Sequence, residues 1–84
     1  MVKIEIFSGP QCGYCESAKR LLDQRGLVYL DYDISADDSN RNELLRRLPR
    51  ARAIPQIFID GEHIGGYEDL RLIDETGRLQ TMTS

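Results

Sequence analysis

Residues 55–66, PQIFIDGEHIGG, leave the chain little freedom of fold. Two short runs of alternating polar and apolar residues flank Asp60-Gly61. An Asp-Gly pair between such runs is the signature of a two-residue type I′ turn, whose backbone twist matches that of the strands it joins. The segment therefore supplies two antiparallel strands to a sheet.

The rest of the chain provides the other elements of that sheet. VKIEIF (2–7) alternates and is rich in β-branched residues, which predicts a strand, and Gly-Pro-Gln ends it. From Gly13 to Arg25, Cys15, Ala18, Leu21 and Leu22 recur at helical spacing. Gly26 stands where a left-handed residue would close that helix, and Arg20 and Arg25 suit its negative end. LVYLDYDI (27–34) reads as a second strand. SADDSN then offers several helix caps, and Leu44, Leu45 and Leu48 form a helical stripe that Pro49 stops. A last helix is expected from Tyr67 to Thr76, with Leu70 and Ile73 inward and Gly77 as its stop. The order is β-α-β-α-β-β-α. Two strands joined through a helix run parallel with a right-handed crossover. The expected architecture is thus α/β: a four-stranded mixed sheet flanked by three helices. At 84 residues, one domain spanning 1–84 is expected.

Charge excludes some partners. The net charge of -3 gives no electrostatic footprint for nucleic acid. No segment approaches the ~18 apolar residues of a membrane span, and MVKIEIF lacks the apolar run of a signal peptide. A cytoplasmic location is expected. One region departs from the average: Arg41, Arg46, Arg47, Arg50 and Arg52 face a single acid, Glu43, within residues 41–52. This local cationic patch on an acidic body is compatible with a small anionic ligand.

Both cysteines of the chain fall in CGYC, at Cys12 and Cys15. A disulfide across so short a loop gains only ~2 kcal/mol in the chain-entropy model and ties nothing distant together. A closed zinc site needs four ligands, and His63 in the hairpin is the one other soft ligand, which reads as a solvated strand residue. A redox pair fits better. Cys-x-x-Cys directly after a strand, opening the helix of a β-α-β unit, points to a thioredoxin-like redox site.

Cys12 is expected at or next to the helix N-cap, where free N–H groups, those of Tyr14 and Cys15, face its sulfur. Lowering a thiol pKa from ~8.5 to ~6.5 requires about 2.7 kcal/mol of preference for the thiolate. The helix dipole contributes ~0.3–1 kcal/mol, and a hydrogen bond to the charged sulfur about 1.5–3 kcal/mol. Together they suffice. Lys19 assists weakly and Glu16 opposes slightly. Cys15, one turn into the helix, is expected to be the less exposed thiol, placed to attack a mixed disulfide on Cys12.

Taken with AIPQIFIDGEHIGG and with GYEDL opening the last helix, the strand leading into CGYC resembles the glutaredoxins, over residues 2 to about 79. The resemblance implies a thioredoxin fold and a glutathione-dependent thiol–disulfide oxidoreductase that reduces protein disulfides and glutathione mixed disulfides. It implies that Cys12 is the nucleophile and Cys15 the resolving thiol. Tyr14 resembles the aromatic that flanks bound glutathione, and Pro55 the family's cis-proline. A turn there would leave the Ile54 backbone free to pair with an extended peptide such as glutathione. Gly65 and Gly66 allow a sharp turn into the next helix at Tyr67, whose N–H groups suit the γ-glutamyl carboxylate. Glu68 or Asp69 would meet the adjacent ammonium.

Two features depart from the family pattern. Gly9 and Gln11 offer no cation where relatives commonly carry lysine, and Gly13 replaces the usual proline. Some relatives without that proline hold a 2Fe–2S cluster between two subunits through the first cysteine and glutathione. An iron–sulfur carrier or sensor, its cluster ligated through Cys12 and glutathione in a homodimer, is therefore the alternative to a monomeric reductase acting on disulfide-containing or glutathionylated proteins.

Overall fold

A computed structural model describes residues 2–84. The strands are β1 (Ile4–Ser8), β2 (Leu30–Asp33), β3 (Gln56–Ile59) and β4 (Glu62–Gly65); the helices are α1 (Gly13–Gln24), α2 (Asp38–Arg47), α3 (Tyr67–Glu75) and α4 (Arg78–Thr83). They form one sheet in the order β2-β1-β3-β4. β1 runs parallel to β2 and antiparallel to β3, and β3 pairs antiparallel with β4. This is the expected mixed sheet, with β1 at its centre, where its flanking helices bury all five residues.

The hairpin turns as its sequence dictates: Asp60 and Gly61 have φ of 50° and 81°. Both central residues of a type I′ turn require positive φ, which a β-branched side chain would resist. Gly26 and Gly77, the expected helix stops, also adopt left-handed conformations.

Successive side chains of β1 point to opposite faces. Ile4 and Ile6 join Ala18, Leu21 and Leu22 of α1, Ile57 and Ile59 of β3, Leu70 of α3 and Leu79 of α4 in one core. On the other face Phe7 and Phe58 pack edge to face, ring centroids 5.8 Å apart, beneath Leu44 of α2. Glu5 shares this second face and is buried. Its two carboxylate oxygens accept from Arg47 Nη1 and Nη2 at 2.9 Å, and one also accepts from the Tyr32 hydroxyl at 3.0 Å. The Arg47 guanidinium lies 4.8 Å from the centre of the Phe58 ring. The bidentate pairing holds the Glu5 carboxyl below the usual range despite its burial.

Three details differ from expectation. β2 starts at Leu30 rather than Leu27, because Leu27 and Val28 precede its pairing with β1. A fourth helix, α4, follows Gly77 and buries Leu79. Arg25 does not serve the α1 dipole: it forms a two-point ion pair with Asp74 of α3, at 2.7 and 2.8 Å.

Candidate functional site

The end of β1 and the start of α1 place Cys12. It is the N-cap of α1, with extended φ and ψ of -121° and 100°, and its Sγ accepts from the Cys15 N–H at 3.2 Å. The expected second donor, the Tyr14 N–H, makes no hydrogen bond to it. Cys12 and Cys15 are joined in a disulfide, their Cα atoms 5.2 Å apart. Cys15 is fully buried among the α1 core residues, whereas Cys12 is partly exposed. A nucleophile arriving from solvent therefore meets Cys12. The Lys19 ammonium is committed elsewhere: it reaches Asp31 Oδ2 at 2.7 Å and Glu16 at 3.4 Å, and these contacts raise its pKa, the Asp31 hydrogen bond foremost.

The Ile54–Pro55 peptide is cis. The Ile54 carbonyl oxygen lies 3.7 Å from Cys12 Sγ, so the segment before β3 borders the cysteine pair directly. Among the described residues the Ile54 N–H donates to no protein acceptor, which leaves it available to an added extended strand.

A groove of about 330 Å³ opens at this border, and Tyr14, Ile54, Pro55, Gly66, Tyr67, Glu68 and Asp69 all line it. These are the seven residues that the resemblance implied for glutathione, brought together from three separate segments. Ala53 and Gln56 also line the groove. They flank the Ile54-Pro55 pair, so their proximity to it was the signal that could have found them.

The rings of Tyr14 and Tyr67 stack across one end, centroids 6.1 Å apart and planes within 19°. Tyr14, 63% exposed, is the solvent side of this aromatic wall, and Tyr67 is partly buried against the main core.

The acidic pair splits into two roles. Asp69 accepts from the Gly66 N–H at 3.0 Å and so caps α3, while Glu68 pairs with Arg71 at 2.8 Å. Gly65 is required twice over: its φ is 123°, and a Cβ there would run into the Asp69 carboxylate. Gly66 brings the start of α3 close to the Pro55 carbonyl, which a Cβ would meet at 3.6 Å.

Gly9, which offers no cation, is buried beside Ile54: a Cβ on it would sit 2.8 Å from Ile54 Cδ1. His63 is exposed on β4, its Nε2 2.8 Å from Gln56 Oε1. Among the described residues no three His, Cys, Asp or Glu side chains converge as a metal site, so the 2Fe–2S alternative draws no support from within one copy of the chain.

This arrangement can exchange disulfides at Cys12 while holding an extended, partly anionic peptide against Ile54, Pro55 and the start of α3. Comparison with known proteins agrees. Residues 4–64 match the glutaredoxin family model. Glutaredoxin 3 of Escherichia coli strain K12 is 38% identical over 82 residues, covering 98% of each chain. Among solved structures, the buckwheat glutaredoxin–glutathione complex superposes with a TM-score of 0.83 at 32% identity, covering 96% of this chain and 76% of that one. A dithiolic glutaredoxin of Trypanosoma brucei brucei superposes at 0.85 with 28% identity, covering 98% and 87%.

Proposed function

Since the chain belongs to the glutaredoxin family, we propose that its glutathione-dependent thiol–disulfide exchange runs through Cys12 as nucleophile and Cys15 as resolving thiol. The observation that carries this assignment is the pairing of unequal exposure with the N-cap hydrogen bond: Cys12 is reachable and receives the Cys15 N–H, while Cys15 is sealed beneath it. The Cys15 N–H, at about 1.5–3 kcal/mol for a bond to a charged group, and the helix dipole, at ~0.3–1 kcal/mol, stabilise the Cys12 thiolate at the mouth of α1.

In the reduced enzyme the Cys12 thiolate attacks a substrate disulfide. A bond forms between Cys12 and one substrate sulfur, and the other substrate sulfur leaves as a thiolate that takes up a proton. Cys15 then loses its proton and attacks Cys12 Sγ, and the second substrate sulfur leaves as a thiolate. The substrate has gained two electrons, and the enzyme is left with the Cys12–Cys15 disulfide. A first glutathione thiolate attacks the exposed Cys12 Sγ and releases Cys15. A second attacks the sulfur of the bound glutathione, releasing glutathione disulfide and the Cys12 thiolate. A glutathionylated protein enters this cycle at the mixed disulfide and needs only the second glutathione.

In the mixed disulfide, glutathione lies in the groove. Its backbone pairs with Ile54 beside Pro55, Tyr14 and Tyr67 form one wall, and its γ-glutamyl carboxylate faces the N–H groups after Gly66 at the start of α3. Asp69, already the cap of α3, and Glu68 provide the negative charge that faces the adjacent ammonium. The whole chain, 1–84, acts as one monomeric domain in a cytoplasmic glutathione pool, on disulfide-containing and glutathionylated proteins.

Cys12→Ser is expected to abolish every exchange. Cys15→Ser is expected to spare deglutathionylation of a small mixed disulfide and to impair reduction of protein disulfides, both followed with glutathione and its reductase. Loss of the two activities in equal measure would contradict the division of labour. A reduced Cys12 thiol still protonated well above pH 8 on titration would remove the nucleophile altogether.

A further inference from the structure

The chain has 11 lysines and arginines against 14 acids, yet its free cations are concentrated. Among the described residues, seven of the basic side chains reach a carboxylate, and Arg20, Arg41, Arg50 and Arg52 do not. Within the basic stretch 41–52 itself, Arg46 is paired with Glu43 and Arg47 with Glu5 and Glu43. The sequence patch of five is therefore a functional patch of three.

Those three border the cysteine groove. Arg41 and Arg52 line a pocket of about 150 Å³ with Leu45, Ala51 and Ile54. Arg50 lines a second pocket, of about 410 Å³, with Leu48, Pro49, Ala51 and Gln56. Ala51 belongs to both, and Ile54 and Gln56 each belong also to the groove beside Cys12. The surface is thus continuous from the redox sulfur, past the unpaired Ile54 N–H, onto two shallow apolar depressions edged with free guanidinium groups. On the far side of the groove, by contrast, Glu68 and Asp69 already have hydrogen-bond partners.

Resting on the exchange chemistry assigned to Cys12, we propose that this face docks an extended acidic segment flanking the disulfide of a protein substrate. Two adjoining depressions suit an occupant several residues long, with apolar side chains seated on Leu45, Ala51 and Leu48 and carboxylates meeting Arg41, Arg50 and Arg52. Exposed guanidinium groups attract such a segment over a Debye length, about 8–10 Å at ordinary salt, which raises encounter rates and fixes register. The ligand differs from the small anion that the patch suggested in sequence: Arg47, which would have closed the cluster around one charge, is spent on Glu5.

The test uses the full-length enzyme with glutathione, glutathione reductase and three substrates: a peptide disulfide flanked by Asp and Glu, the same peptide with neutral flanks, and the glutathione mixed disulfide of mercaptoethanol. The variant is Arg41→Gln/Arg50→Gln/Arg52→Gln, with the single changes alongside. It should lose about tenfold in kcat/KM on the acidic peptide at low salt and less than about twofold on the other two, and added salt should erase the wild-type preference. Equal loss on the small mixed disulfide would overturn the proposal, because the arginines would then serve glutathione itself. Indifference to peptide charge would also overturn it, as would a salt-sensitive dimer of the wild type that the variant lacks, which would make a second copy the occupant. A wild type inactive on all three substrates would instead defeat the assignment of the chemistry.

Discussion

The face of the sheet covered by α1, α3 and α4 buries nine hydrophobic residues in one cluster. The face covered by α2 buries three, and places Glu5 among them. α2 offers one buried residue, Leu44, whereas α1 offers four. Packing alone would hold α2 weakly, and the Glu5–Arg47 pair and the stacking of Arg47 on Phe58 attach it instead, while the Tyr32 hydroxyl of β2 steadies Glu5. Arg47 is the last residue of α2, and the segment it precedes carries Ile54 and Pro55 to the cysteines. One face therefore supplies the bulk of the apolar burial, and the other positions the active-site segment through directional contacts.

The largest expected effect is on the polar face. Arg47→Ala leaves the Glu5 carboxylate buried without its bidentate partner, with only the Tyr32 hydroxyl and the exposed Lys3 ammonium 3.7 Å away beside it, and should cost about 3–5 kcal/mol in urea unfolding. A loss below about 1 kcal/mol would mean that the pair behaves like a surface ion pair, and the contrast between the faces would disappear.

Somewhat smaller is the cost of Leu22→Ala on the apolar face, about 3 kcal/mol from lost burial and the cavity left behind. That loss should be the same at pH 4 and pH 7; a strongly pH-dependent loss would show that charge reaches this face too.

Smallest is the pH response of Glu5 itself. Hydrogen bonding from Arg47 holds its folded pKa below the ordinary value of a glutamate carboxyl. The folded state then binds protons less readily than the unfolded chain, so this stabilisation is present above the ordinary glutamate range and is lost as pH falls through the folded value. Urea midpoints of the wild type should drop more steeply between pH 5 and 3 than those of Glu5→Gln. Asp74 also titrates low, through Arg25 and independently of Glu5, so it cancels in the difference; Glu43 shares Arg47 with Glu5 but keeps its leading partner, Arg46, in both proteins.

Local signals carried most of the fold. Asp60-Gly61 and the glycines after α1 and α3 act within a few residues of themselves, as do the alternation of β1 and the stripe Cys15, Ala18, Leu21, Leu22. α4 escaped because six residues with apolar positions only at Leu79 and Met82 are too short to display a period; the core that buries Leu79 makes it a helix. The site divided along similar lines. Cys12 and Cys15 were readable from spacing, and the groove residues from resemblance. The Glu5–Arg47 pair was not, since the partners are 42 residues apart and an acid in an alternating strand looks like a solvent-facing one. The same distance concealed which arginines were free.

The close approach of Gly9 to Ile54 also constrains how the chain can change. A side chain gained at position 9 would have to turn the Ile54 δ-methyl aside, since that methyl fills the room just beyond the Gly9 Cα. The rotamer of Ile54, and with it the apolar wall beside Cys12, would therefore register any side chain added at position 9.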